Sequence, residues 1–175
     1  MSVRRFHDVY EKEDLEKIQE VIKEGGWSLH HRFEKFPLKH AQKHLDDEFF
    51  TVHLFNKIKK RLNLADSTPL IRVYMNYYFP GMCGSWHQDY YRSDFYTFTT
   101  YVTDIPKEDL DLYGGNIDIK TENDDAILSF PPETNSGVLF PGTAWHRGQG
   151  SSPYYKDVRK CRVVLTWKMG VADCK

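Results

Sequence analysis

A change of hydrophobic period near Pro69 constrains the fold of this chain more than any other feature. Before it, residues 13–24 carry Leu15, Ile18, Val21 and Ile22 at helical spacing, and Gly25-Gly26 supplies a stop. A second helical stretch over residues 46–62 places Phe49, Val52, Phe55, Ile58 and Leu62 on one stripe. Asp46, Asp47 and Glu48 crowd its first turn, and Lys57, Lys59, Lys60 and Arg61 its last, as the helix dipole favours. After Pro69 the segments 70–79, 95–102, 116–119, 137–140 and 162–168 are short, aromatic or β-branched, and separated by Gly, Pro or Asp clusters. Two helices followed by a run of strands, without βαβ alternation, predict a mainly β fold with flanking α: an antiparallel sandwich or barrel braced by the amino-terminal helices.

The 175 residues are 40% hydrophobic, enough for one buried core. The chain therefore reads as one domain over residues 1–175, with helical support over 1–64 and a β core over 69–170. Eleven Tyr, eleven Phe and four Trp suit broad pleated surfaces better than a helical bundle. A net charge of −1 gives no pull towards nucleic acid or an anionic membrane, and nucleic acid is not the expected partner. Cys83, Cys161 and Cys174 are odd in number and lack CxxC spacing, which argues against a disulfide framework or a thiolate zinc site. No apolar run approaches the roughly 18 residues of a membrane span, so a soluble, unprocessed, cytoplasmic protein is expected. Residues 107–113 and 148–157 read as long surface loops of the kind that often carry function.

Two imidazoles and one carboxylate on one face are the usual holders of an iron(II) that activates oxygen, because they leave positions open for co-substrate and dioxygen. His87 and Asp89 stand two apart, so on an extended segment both project to one face while Gln88 points away. A third ligand must come from another strand, and His146 follows the short apolar run Val138-Leu139-Phe140 and the turn at Pro141-Gly142. The other histidines, His7, His30, His31, His40, His44 and His53, lie in the helical or polar amino-terminal half, where solvated or capping roles are expected. His40 and His44 would face together on a helix and form a weaker alternative metal pair.

Several ordered fragments carry a resemblance. Tyr78-Phe79-Pro80-Gly81 precedes His87-Gln88-Asp89; Tyr96 to Thr103 and the turn Gly114-Gly115-Asn116-Ile117 follow; then come Gly137 to Pro141, His146, and Arg162-Val163-Val164-Leu165-Thr166-Trp167. Together they resemble the 2-oxoglutarate-dependent iron(II) dioxygenases, particularly the prolyl-4-hydroxylase-like branch. The resemblance implies a double-stranded β-helix, or cupin-like jelly roll, with iron(II) held by His87, Asp89 and His146. It implies 2-oxoglutarate and dioxygen as co-substrates, ascorbate as a stimulant, and hydroxylation of a substrate C–H. The first expectation for that substrate is a prolyl or other peptide residue, with a free amino acid or small metabolite as the alternative. A non-catalytic cupin-like binding protein and another metal enzyme on a cupin-like barrel are the rival readings. The oligomeric state is left open.

In the resemblance, the basic residue of the last strand binds the far carboxylate of 2-oxoglutarate. Physical chemistry favours an Arg there, since a dicarboxylic acid chelating the metal at one end leaves a second carboxylate that a guanidinium fork matches bidentately. Arg162 is the candidate, with Arg159 and Lys160 as competitors, because Arg162 lies sixteen residues beyond His146 and an insertion over 148–157 must account for that gap. Period two puts Arg162, Val164 and Thr166 on one face and Val163, Leu165 and Trp167 on the other, and both faces are apolar enough to point inwards. Tyr78, Thr97 and Tyr101 stand where related enzymes hydrogen-bond the co-substrate; ordinary strand packing accounts for the same residue types equally well.

Overall fold

Helix α1 (Lys12–Lys23) forms where the helical spacing predicts it, with Ile18 wholly buried and Leu15, Val21 and Ile22 packed around it. Gly25 and Gly26 both take φ of 78°, a left-handed conformation that stops the helix and that a side chain would resist. The computed structural model to which these elements belong describes residues 2–29, 40–121, 126–157 and 160–170.

The second helix departs from expectation at its start. Asp47 stands before it as a cap, its carboxylate accepting from the Phe49 and Phe50 backbone N–H groups at 3.0 and 3.4 Å. The segment Phe49–Leu54 is π-helical and runs into α2 (Phe55–Leu62). The wider π turns rotate the apolar stripe, so Phe50 and Leu54 are the buried residues and Val52, expected on the stripe, is 53% exposed. A polar clasp joins the two helical segments: Lys57 donates to the buried Asp14 at 2.7 Å, and the His53 ring contacts the same carboxylate at 3.0 Å. Burial alone would raise the Asp14 carboxyl, but the bonds from Lys57 and His53 outweigh it and hold the group below the ordinary carboxylate value.

Strands make up most of the rest: β1 (Arg4–Phe6), β2 (Ser28–Leu29), β3 (Ala41–His44), β4 (Leu70–Tyr78), β5 (Phe95–Tyr101), β6 (Ile117–Lys120), β7 (Ile127–Phe130), β8 (Gly137–Pro141), β9 (His146–Gly148) and β10 (Arg162–Gly170). The five strands expected from composition are β4, β5, β6, β8 and β10. The other five are two to four residues long. β3 also overturns the helical placement of His40 and His44, since that segment is extended.

Among the described residues all pairings are antiparallel, and the strands form a seven-stranded sheet in the order β1-β8-β5-β10-β4-β3-β2 and a three-stranded sheet in the order β7-β6-β9. β10 lies in the middle of the large sheet and is buried at every residue, because both faces are covered. Its Val163, Leu165, Trp167 and Met169 pack towards Phe50, Leu54, Phe55 and Ile58 of the helical layer. On the opposite face Val164 joins Tyr101, Val138 and Phe140 against Ile117 and Ile119 of the small sheet. The helices therefore brace one face of the large sheet, and the other face closes over the interior between the sheets.

The two expected loops are more ordered than their composition suggests. Residues 107–113 form a 3-10 turn (Lys107–Asp109) continuing into α3 (Leu110–Tyr113), with Asp109 and Tyr113 buried. Asp109 accepts from the Tyr155 hydroxyl at 2.8 Å and pairs with Lys156 at 2.7 Å, so this turn is tied to the second segment. That segment is pinned through its backbone as well, by Gly81 N–H to the Ser151 carbonyl at 2.7 Å and Ser152 N–H to the Tyr113 carbonyl at 2.6 Å. No helix among the described residues is long and apolar enough to cross a membrane.

Candidate metal centre

His87 and His146 are brought together by their own backbones. Each N–H donates to the other's carbonyl, at 3.0 and 2.9 Å, and this isolated bridge sets the two imidazoles side by side with ring centroids 4.3 Å apart. β9 begins at His146, so this imidazole sits at a strand end beyond the turn at Gly142. The same turn fixes the carboxylate, since the Asp89 and Tyr90 N–H groups both donate to the Gly142 carbonyl at 3.0 Å. One ligand atom from each of His87, Asp89 and His146 lies within 4.8 Å of the others, and among the described residues these three form the one such cluster. The donor set, two imidazoles and a carboxylate with one side open, fits iron(II) by ligand type.

Each ring is oriented by a carbonyl two residues back. His87 Nδ1 meets the Ser85 carbonyl at 2.9 Å and His146 Nδ1 the Ala144 carbonyl at 3.0 Å. A proton on Nδ1 satisfies those bonds and leaves each Nε2 lone pair for a metal. His146 Nε2 lies 3.4 Å from Asp89 Oδ2, and His87 Nε2 lies 3.9 Å from Oδ1. Burial holds the His146 imidazole down at about 4, with Asp89 pulling only partly the other way, so the ring is neutral at physiological pH. Asp89 is the converse: burial would raise it, but Lys168, His146 and Thr97 bring it well below the usual carboxylate range. His87 is largely exposed and forms the open side of the cluster.

One pocket contains the cluster and the even-numbered face of β10, namely Arg162, Val164, Thr166 and Lys168. The parity left open by the sequence is thereby resolved for the side chains of this strand. Arg162 is 1% exposed, its guanidinium 4.4 Å from the Tyr78 ring and 5.4 Å from the Tyr101 ring. Its Nε and Nη1 have no hydrogen-bond partner among the described residues. Buried guanidinium donors without acceptors are costly, and an anion beside Nη1 would answer one of them. The space beside it depends on Gly148: a Cβ there would stand 2.9 Å from the Tyr78 hydroxyl and 3.0 Å from Arg162 Nη1.

The remaining candidates fall in different places. Tyr78 lines the pocket. Thr97 lines it too, but its hydroxyl donates to Asp89 Oδ2 at 2.6 Å. Tyr101 lies in the apolar interior between the sheets, its hydroxyl donating to the Phe130 carbonyl at 3.1 Å. Lys160 turns away from the pocket to the Asp104 carbonyl at 2.9 Å, and Arg159 lies outside the described residues. His40 stacks on Tyr78 and His44 packs on Tyr74, and neither joins a metal-ligand cluster. His30, His31 and Cys174 also lie outside the described residues.

Sequence reasoning missed Lys168. It is 1% exposed, ion-paired with Asp89 Oδ2, and donates to Thr97 Oγ1 at 3.0 Å. The signal that points to it is parity: Lys168 is an even number of residues from Arg162 on a strand whose odd positions are Val163, Leu165, Trp167 and Met169.

No family model and no curated protein matches the sequence. Solved structures do match the fold across nearly the whole chain. A prolyl-4-hydroxylase from Pseudomonas putida superposes with a TM-score of 0.65 at 13% identity, over 97% of this chain and 92% of that one. A viral collagen prolyl hydroxylase from Paramecium bursaria Chlorella virus-1, in complex with 2-oxoglutarate, gives 0.63 at 14% identity, over 98% and 97%. HygX from Streptomyces hygroscopicus, with nickel, 2-oxoglutarate and hygromycin B bound, gives 0.66 at 9% identity, over 98% and 83%. The fold is thus the double-stranded β-helix of the 2-oxoglutarate/Fe(II) oxygenases, as the ordered sequence fragments implied.

Proposed function

We propose that this protein is a non-haem iron(II) oxygenase that uses 2-oxoglutarate, with His87, Asp89 and His146 as the metal ligands and Arg162 as the anchor of the co-substrate's far carboxylate. The observation that carries the reading is their convergence: a three-ligand cluster and a buried guanidinium with two unanswered donor atoms line one pocket of an oxygenase fold. Iron(II) and 2-oxoglutarate, when bound, supply the oxidising chemistry, in which oxidative decarboxylation to succinate drives hydroxylation of a substrate C–H.

The protein's own part is positioning. The Ser85 and Ala144 carbonyls hold both imidazoles with Nε2 inwards, the Gly142 carbonyl holds the Asp89 backbone, and Thr97 fixes one carboxylate oxygen. Arg162 Nη1 borders the space that Gly148 keeps open, where a carboxylate can accept from it, and the Tyr78 hydroxyl borders the same space. His146 lies deep and His87 at the mouth, which sets the direction from which a substrate approaches.

For the substrate we take a prolyl or other peptide residue first. The fold is shared with two prolyl hydroxylases, and the exposed aromatic residues Tyr91, Trp145 and Tyr154 offer apolar surface to an extended chain. A small molecule is the second reading, supported by the likeness to HygX with its bound hygromycin B. The test is succinate release from 2-oxoglutarate by the iron-loaded protein, with ascorbate, across proline-bearing peptides and free amino acids. Iron-dependent succinate that rises with one class of substrate supports the reading and assigns the class. Metal binding without succinate under any condition would replace it with a non-catalytic barrel.

A further inference from the structure

The proposed reaction leaves one buried charge of the pocket without a role. Lys168 sits at the opposite end of the pocket-facing side of β10 from Arg162, six residues along the strand. Its ammonium reaches the carboxylate of a metal ligand directly, and Thr97 completes a three-way arrangement: Lys168 donates to Thr97 Oγ1, Thr97 donates to Asp89 Oδ2, and Lys168 pairs with the same oxygen. Asp89 Oδ2 therefore meets two donors, while Oδ1 is the oxygen on the His87 side.

Apart from the imidazoles, the charged groups in the pocket wall are two cations, Arg162 and Lys168, and one carboxylate, Asp89, which sum to +1 among the described residues. Asp89 thus already has a counter-ion before any metal arrives. A divalent ion would raise the total to +3, with three positive centres in a buried space where like charges repel strongly. A dianion such as 2-oxoglutarate brings the total back to +1.

We infer that Lys168 is an internal counter-cation that shares Asp89 with the metal, making metal binding weak on its own and strongly dependent on the anionic co-substrate. The inference rests on the iron and 2-oxoglutarate reading above and deepens it. Lys168 holds the carboxylate in place in the metal-free protein, disfavours occupancy by metal alone, and couples the two ligands. By linkage the coupling is reciprocal, so the metal enhances 2-oxoglutarate binding by the same factor. Lys168 is a positioning residue here, acting through Asp89.

The experiment measures Mn(II) affinity, with free ion counted by electron paramagnetic resonance, in the presence and absence of 2-oxoglutarate, for the full chain and for Lys168→Met and Lys168→Arg. In the unaltered protein 2-oxoglutarate is expected to tighten Mn(II) by roughly tenfold or more. Lys168→Met should bind Mn(II) alone roughly tenfold more tightly and lose a similar factor of the co-substrate enhancement, keeping the part due to chelation. Lys168→Arg should behave as the unaltered protein does. Unchanged or weaker Mn(II) binding in a folded Lys168→Met would overturn the inference and leave the functional reading standing. Should that variant fail to fold, Lys168→Gln, which keeps much of the side chain's length and removes its charge, is measured in its place with the same two outcomes. Absence of Mn(II) binding under every condition overturns both the inference and the reading beneath it.

Discussion

At the residue scale, the site depends on small atomic allowances around Arg162. Gly148 is required by close approach, because its missing Cβ leaves room for Tyr78 and Arg162. Gly148→Ala should raise the 2-oxoglutarate requirement by about tenfold, the order of one weakened charged hydrogen bond, without changing metal affinity in the absence of co-substrate. Titration with 2-oxoglutarate at fixed metal checks this, and equal affinity in the variant would place the carboxylate elsewhere. Arg162→Ala should cost more, about tenfold to hundredfold, because the charge is lost with its donors, and Arg162→Lys should recover only part of it since an ammonium does not reproduce the planar guanidinium. His87, Asp89 and His146 were legible from spacing and from the flanking fragments. Lys168 was legible only to parity: a charge on a strand otherwise reading as core is easily mistaken for its solvated end.

At the element scale, β10 shows where sequence reading reaches its limit. Both of its faces are buried, so an alternation of apolar and polar residues could not say which face held the pocket; the answer needed the helices on the Trp167 side. The second helix shows another limit, since a π turn shifts the buried stripe from Val52 to Phe50 and Leu54 without any signal in composition. The clasp that joins these helical segments carries its own prediction. The Asp14 carboxyl is depressed in the folded state, so its contribution to stability is present above the ordinary carboxylate value and fades as pH falls through the folded value. Asp14→Asn should therefore lower the melting temperature at neutral pH, with the difference from the unaltered protein narrowing below about pH 4. A difference that stays constant across that range would mean that packing, not the charge, gives Asp14 its effect.

At the scale of the whole molecule, the change of period at Pro69 does correspond to a change of layer, with the helices bracing one face of a large antiparallel sheet. Five short strands were not signalled by the sequence pattern, yet β9 among them carries His146. The described part of the segment between His146 and Arg162 is a pinned connection, tied to the turn before β6 by Tyr155, Lys156 and Ser152. The fold thus brings His87, Asp89 and His146 from two separate segments and Arg162 from a central strand to one place, where one iron is expected to bind. Anaerobic titration with Fe(II) in the presence of 2-oxoglutarate tests it most directly. One Fe(II) per chain is expected, lost in His87→Ala, Asp89→Ala and His146→Ala with the fold retained. Stoichiometric binding that survives Asp89→Ala and His146→Ala unchanged would contradict it.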